Sequence, residues 1–309
     1  MKSFSAFLKE TVKATPRVGI NHINAMKPAD FIQLMNAFKK DMKGILNTTN
    51  ASFNEKVDGS SLRFGLSPEG KFFFETSHSG PLFSKDGFSA MVLAKHPDAD
   101  LSGPKKFDDL GGVIRSSKKI QAFLKKHNTE NGIKIAGEII FHPLGEVDGD
   151  KIRFIRISYD RKKLGTTLTF FPFDVLDGNG EKLDNQAEII SDLKKLSDPD
   201  IMILTNEAEN VGSIDMNVEI DNLNKFVSKY NEIEKILVSR KKVDKEEKNI
   251  VKAFVKDIQD KVAAKILAGI KAGRFGPSFE GIVFTLATTG KTYKVVSQEF
   301  IDNKHLFKS

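Results

Sequence analysis

Asn54-Glu55-Lys56-Val57-Asp58-Gly59-Ser60-Ser61-Leu62-Arg63-Phe64-Gly65 is the stretch on which the reading of the whole chain turns. A lysine stands two residues before an aspartate and three before a glycine, and an alternating apolar run follows, as in a half-buried strand. A lysine amine whose pKa is lowered by nearby cations or by desolvation attacks phosphorus or carbonyl centres. Glycine, lacking Cβ, lets the backbone come close to a bound nucleotide. Taken alone, Lys-x-Asp-Gly is equally a solvated turn ahead of a strand, so its weight depends on what lies downstream.

Downstream come Gly137-Glu138-Ile139-Ile140, then Phe170-Phe171-Pro172-Phe173-Asp174-Val175-Leu176. Phe279-Glu280-Gly281-Ile282-Val283-Phe284 and Lys291-Thr292-Tyr293-Lys294-Val295-Val296 follow. This order resembles motifs I, III, IIIa, IV and V of the covalent nucleotidyltransferases: ATP-dependent RNA and DNA ligases and mRNA capping enzymes. It spans Asn54 to Ser297, with an interruption from Leu183 to Phe275 that matches no motif. Five short motifs in order are more specific than any one of them.

The resemblance implies an α+β fold. Its centre is an ATP-grasp-like nucleotidyltransferase (ligase adenylation) core of antiparallel sheets flanked by helices. A helical insertion interrupts the core. Because the chain stops soon after motif V, no C-terminal OB-fold is expected. Carried over by position, Lys56 is the nucleophile, with Asp58 beside it in the catalytic set. Glu280 is the motif IV acid and metal ligand, and Lys294 reaches the α-phosphate. Glu55, Gly59, Ser61 and Arg63 line the nucleotide site, and Glu138 holds the ribose hydroxyls. Phe173 lies near the purine with Asp174 beside it, Phe171 being the alternative stacking ring. Lys291 lies on the adenylate or pyrophosphate side. ATP and Mg2+, or Mn2+ in its place, are the implied cofactors.

Two positions depart from the pattern. DNA ligases carry arginine where this chain has Ser61, the nearest arginine being Arg63. A second motif V lysine is replaced by Val296. Ser60 after Asp58-Gly59, Glu55 before the lysine and the expected lack of an OB-fold favour an RNA ligase. A minimal nick-sealing DNA ligase is the near alternative. A catalytically silent nucleic-acid-binding or capsid-associated relative is the alternative from another class.

The chain has 309 residues, a net charge of +7 and pI ≈ 9.2, which suit a polyanionic partner such as a nicked duplex or strand ends. Cysteine is absent, which excludes disulfides, thiolate metal sites and thiol catalysis. With no long apolar run and no secretory pattern, the expectation is a cytoplasmic monomer without a membrane partner. Met1 to Thr15 is similar to the capsid-targeting peptides of large tailed phages that are cut after a glutamate, here Glu10. That similarity implies a bacteriophage origin, the host cytoplasm as location, and packaging into the virion.

Periodicity divides the chain into an N-terminal helical segment (1–50), a first core part (51–182), a helical insertion (183–276) and a second core part (277–309). A helix is expected from Pro28 to Leu46, and strands at 61–66, 71–76, 133–141, 151–157 and 166–176. Asp86 to His127 reads as helical, and the insertion as helices near 186–196, 220–237 and 244–272. His78, in a loop after the second strand, and Lys248, Lys252 and Lys256, on the last insertion helix, are the candidate nucleic-acid contacts. That helix also carries one apolar face, so it is expected to pack on a core.

Overall fold

The computed structural model describes residues 21–77, 79–154, 157–164, 167–196, 198–208, 212–238, 245–271, 273–276 and 279–302. His78, Glu10 and the rest of the N-terminal peptide lie outside them. In chain order the structure begins with strand β1 (Asn21–His22), helix α1 (Pro28–Asp41) and strands β2 (Ile45–Leu46), β3 (Ala51–Lys56), β4 (Ser60–Leu66) and β5 (Phe72–Thr76). Helices α2 (Gly87–Lys95), α3 (Ser102–Ser116) and α4 (Lys118–His127) come next. Then follow β6 (Ile133–Phe141), β7 (Glu146–Asp148), β8 (Lys151–Phe154), β9 (Ile157–Asp160), α5 (Arg161–Leu164) and β10 (Leu168–Leu176). The rest is α6 (Gln186–Lys194), β11 (Ile201–Ile203), β12 (Ile214–Asp215), α7 (Asn217–Val238), α8 (Lys245–Ala268), β13 (Gly281–Leu286), β14 (Thr292–Val296) and α9 (Gln298–Asp302).

The chain is α+β and divides into two compact units, each with its own core. The described residues of Val57–Asn206 and Phe275–Ser278 form the first, and those of Arg17–Lys56, Glu207–Arg274 and Phe279–Ser309 the second. The first holds a five-stranded sheet in the order β11-β10-β6-β4-β5. One sheet face, with Leu62, Phe64, Leu66, Ile133, Ile135, Ile139 and Phe170, packs on apolar residues of α2, α3, α4 and α6. The second unit holds a four-stranded sheet in the order β1-β14-β13-β3, whose Phe53, Ile282, Phe284, Tyr293 and Val295 pack with residues of α1, α7 and α8.

Both sheets are antiparallel except at an edge. There β11 runs parallel to β10 and β1 parallel to β14, so the expected antiparallel sheets each carry one parallel edge strand. The helix α6 supplies the long crossover that a parallel neighbour requires. The α1 helix also ends earlier than its periodicity suggests. Lys43 and Gly44 adopt positive φ (49° and 75°), and the Gly44 amide caps the Phe38 carbonyl at 2.9 Å. Ile45 and Leu46 then pair with β12 instead of extending the helix. Asp86 to His127 is three helices, broken around Pro97 and again at Ser117, whose hydroxyl accepts the Ile120 amide at 3.2 Å.

The 183–276 stretch is shared between the units and is not all helical. Its α6 and β11 join the first unit and its α7 and α8 the second. The expected packing face of α8 is present: Val255, Ile258, Val262 and Ile266 are buried in the second core. No described helix is long and apolar enough to cross a membrane.

Candidate nucleotidyl-transfer site

In the second unit, strand alternation sorts the motif residues onto two faces. Gly281 stands opposite Lys56 on one side and Val296 on the other, while Val283 stands opposite Asn54 and Lys294. Residues two apart share a face. Lys56, Asn54, Val283, Lys294 and Val296 therefore lie on the face away from the core. Lys56 is the last residue of β3, and its Nζ lies 2.6 Å from Glu280 Oε2. Both side chains are largely buried, at 16% and 9% exposure, so this pair is shielded from water far more than a surface ion pair. Glu280 is the residue before β13, and its backbone carbonyl accepts the Ser297 amide at 2.8 Å, which fixes its place. A Cβ at Gly281 would lie 2.0 Å from the Val295 carbonyl oxygen, so glycine permits the close strand approach beside Lys56.

Glu55 points the other way. Its carboxylate is buried and accepts the Arg274 backbone amide at 3.0 Å, so it is not brought together with the Lys56 amine. Lys291 is exposed at the turn end of β14, while Lys56 is level with Val296 at the other end. Roughly 16 Å of strand separates those two levels, at about 3.3 Å per residue. Lys252 and Lys256 are exposed on α8, and Lys256 Nζ contacts Asp260 Oδ1 at 2.5 Å and the Asn24 carbonyl at 3.0 Å. Lys248 lies in the first turns of α8, and its side chain is outside the described set.

Asp58 and Gly59 begin the first unit. The Asp58 amide, in a segment without ladder pairing, donates to the Tyr159 hydroxyl at 2.7 Å, and both residues are buried. A buried amide left without an acceptor would cost about 1–3 kcal/mol, so Tyr159 holds this loop in place. At Gly59 a Cβ would lie 2.6 Å from the Ile139 carbonyl oxygen.

Register sets the open face of the five-stranded sheet. Ser61 stands opposite Glu138, and Glu138 opposite Phe171; Glu75, Arg63, Ala136 and Asp174 form the next row; Phe73, Gly65, Lys134 and Leu176 the one after. The expected Ser61, Arg63, Glu138 and Asp174 thus share one surface. Asp174 pairs with Lys182 at 2.6 Å. The β10 register shifts between Pro172 and Asp174, and Phe173 at that shift is 49% exposed. Phe171 is buried with its ring edge-on to Phe275 at 5.1 Å.

Glu75, Lys134 and Tyr159 were not among the expected site residues. Lys134 was legible, since Lys134-x-Ala136-x-Glu138 alternates along one strand. Nothing in the sequence marks Tyr159 as the acceptor for Asp58, a residue 101 positions away.

No protein-family model and no curated protein matches the chain. Among solved structures it is similar to a point mutant of Naegleria gruberi RNA ligase with ATP and Mn, with 13% identity, a TM-score of 0.45, and 99% of this chain and 64% of that one covered. An apo mutant of the same ligase gives 12% identity and a TM-score of 0.41, over 95% of this chain and 60% of that one. An archaeal ATP-dependent RNA ligase gives 14% identity and a TM-score of 0.38, over 94% and 49%. The chain thus spans between about half and two thirds of the length of these proteins.

Proposed function

We propose that this chain is an ATP-dependent polynucleotide ligase, with RNA ends as its preferred substrate. It would join a 5′-phosphate to a 3′-hydroxyl through a lysyl-AMP at Lys56. The observation that carries the reading is the buried Lys56–Glu280 pair at 2.6 Å, with Lys294 on the same sheet face and Asp58-Gly59 next in the chain. The ordered motifs around that pair support the same chemistry.

The amine must lose its proton before it can attack, and the Glu280 carboxylate is in hydrogen-bond reach to take it. Lys56 Nζ then forms a bond to the α-phosphorus of ATP as the bond to pyrophosphate breaks. Lys294 offsets charge developing on the α-phosphate oxygens. A 5′-phosphate oxygen next displaces Lys56 from the phosphorus, and a 3′-hydroxyl finally displaces AMP. By the family pattern, Glu138 would hold the ribose hydroxyls and Phe173 would lie near the purine.

No cluster of three or more metal-binding side chains exists among the described residues. The buried carboxylate of Glu280 would hold a divalent ion such as Mg2+, a hard cation that takes oxygen ligands. Such an ion, Mg2+ or Mn2+, would supply neutralisation of the triphosphate charge.

The intact mass of the protein after incubation with ATP, and separately with GTP, in Mg2+ tests the reading. Gain of one AMP is expected, and Lys56→Ala should abolish it while leaving the protein folded, at a lower melting temperature because buried Glu280 loses its partner. An adduct in the alanine variant would remove Lys56 as the nucleophile; gain of GMP would point to a capping-type reaction. A nick-sealing DNA ligase would reach the same adduct and differ in the strands it joins. A catalytically silent relative is favoured by one observation: Val296 stands level with Lys56, where the family pattern has a second lysine. Such a protein would show no adduct even after pyrophosphate treatment to strip any AMP already attached.

A further inference from the structure

The edge of the five-stranded sheet carries an aromatic and cationic cluster that the motifs do not account for. Phe83 is 51% exposed, although a large apolar ring gains by burial. Its backbone is pinned on both sides. Leu82 and Phe74 exchange amide-to-carbonyl bonds at 2.8 and 3.2 Å, and the Ser84 carbonyl accepts from Arg115 Nη2 at 3.1 Å. The ring leans on Phe73, on the open sheet face, with centroids 5.9 Å apart and planes at 57°. On the same face, Lys134 Nζ lies 6.0 Å from the Phe73 centroid.

Lys134 and Arg63 share one carboxylate. Glu75 accepts from Arg63 Nη1 at 2.8 Å, and its other oxygen lies 3.3 Å from Lys134 Nζ. Beside Phe73 one anion thus stands between two cations, Lys134 at 15% exposure and Arg63 at 28%. Of the other carboxylates on this face, Glu138 lies two rows from Lys134 and Asp174 pairs with Lys182. Exposed Lys71 and Lys85 flank the aromatic pair in sequence. An occupant of this edge must therefore offer a flat apolar face and negative charge together.

We propose that the Phe83–Phe73–Lys134–Arg63 edge binds single-stranded nucleic acid, one base stacking on Phe83 and the adjoining phosphate lying against Lys134 and Arg63. Base stacking on aromatic side chains beside backbone-tracking cations is how strands are held without sequence preference. The proposal rests on the ligase reading for the strand's role as the end to be joined, while the binding itself can be measured separately.

The chain contains no tryptophan, so Phe83→Trp creates a single fluorescent reporter at the edge. Single-stranded RNA, DNA of the same sequence and an abasic oligonucleotide with as many phosphates are titrated in turn. Base-bearing strands are expected to quench the emission and the abasic strand to leave it unchanged; the RNA and DNA arms show which strand is preferred. Phe83→Ala should weaken strand affinity about tenfold or more, with Phe83→Tyr restoring it. Lys134→Ala should lower the slope of log K against log salt by about one.

Strand binding by anisotropy without quenching, equal quenching by the abasic strand, or unchanged affinity in both variants would overturn the proposal. So would quenching by a peptide or by anionic lipid vesicles in the absence of any response to strands. The ATP mass experiment on the native sequence is read independently. No AMP adduct with quenching intact would remove the ligase reading and keep the strand site; an adduct without strand stacking would do the reverse.

Discussion

At the scale of single residues, the chemistry concentrates in one contact, Lys56 Nζ to Glu280 Oε2 at 2.6 Å. A carboxylate that close both neutralises the ammonium and offers a destination for its proton. Glu280→Gln keeps the shape and a hydrogen-bonding oxygen but removes the base. The variant is expected to form the AMP adduct about 100-fold more slowly or worse, the usual contribution of a positioned base. Its residual rate should climb with pH, as solvent takes over the proton. Adduct formation at the native rate, read by single-turnover mass analysis, would show that Glu280 has no part in deprotonation. Motif order made Lys56 and Glu280 legible as a pair of interest, but 224 residues separate them, and their contact is a product of β3 pairing with β13. Glu55 was equally legible as a polar neighbour of the lysine. Only strand alternation turned its carboxylate to the core side, onto the Arg274 amide.

Helices and strands supply two further tests. Lys126 of α4 and Lys195, just after α6, both contact Asp192 of α6, at 2.7 and 3.0 Å. The hydrogen bond from Lys126, then that from Lys195, holds the Asp192 carboxyl down at about 2. Its folded pKa lies below the unfolded one, so the stabilisation is complete above about pH 4 and disappears as pH falls towards 2. The melting temperatures of the native protein and Asp192→Asn should therefore differ at pH 5 to 7 and converge between pH 4 and 2. A difference that persists at pH 2 would assign the effect to packing instead. On α8, if the basic side lends itself to a strand, neutralising Lys248, Lys252 and Lys256 should lower strand affinity and flatten its salt dependence. Lys256 should contribute least, since Asp260 and the Asn24 carbonyl already share its charge. Unchanged affinity at low salt would leave α8 as a packing helix only.

For the whole molecule, two cores in one chain mean that a cavity should be felt by one unit first. Phe64 is buried in the first core and Phe284 in the second, and truncating either to alanine should cost about 3–5 kcal/mol. Hydrogen exchange is expected to rise first in β4, β5 and β6 for Phe64→Ala, and in β3, β13 and β14 for Phe284→Ala. A uniform rise in both variants would mean that the units unfold as one. The sequence by itself determined the longer strands and helices, though not the short strands β2, β11 and β12, together with the apolar faces of α1 and α8 and the alternating pattern that carries Arg63, Lys134 and Glu138. Those follow from local periodicity and propensity, which act within a few residues. Tertiary structure alone decided that α7 and α8 build the second core while α6 and β11 build out the first unit. It also decided that Tyr159 holds Asp58, that Glu55 faces inward, and that the backbone around Phe83 is pinned with its ring exposed. Each of these depends on strand register and on contacts between distant parts of the chain. Local sequence patterns do not encode them.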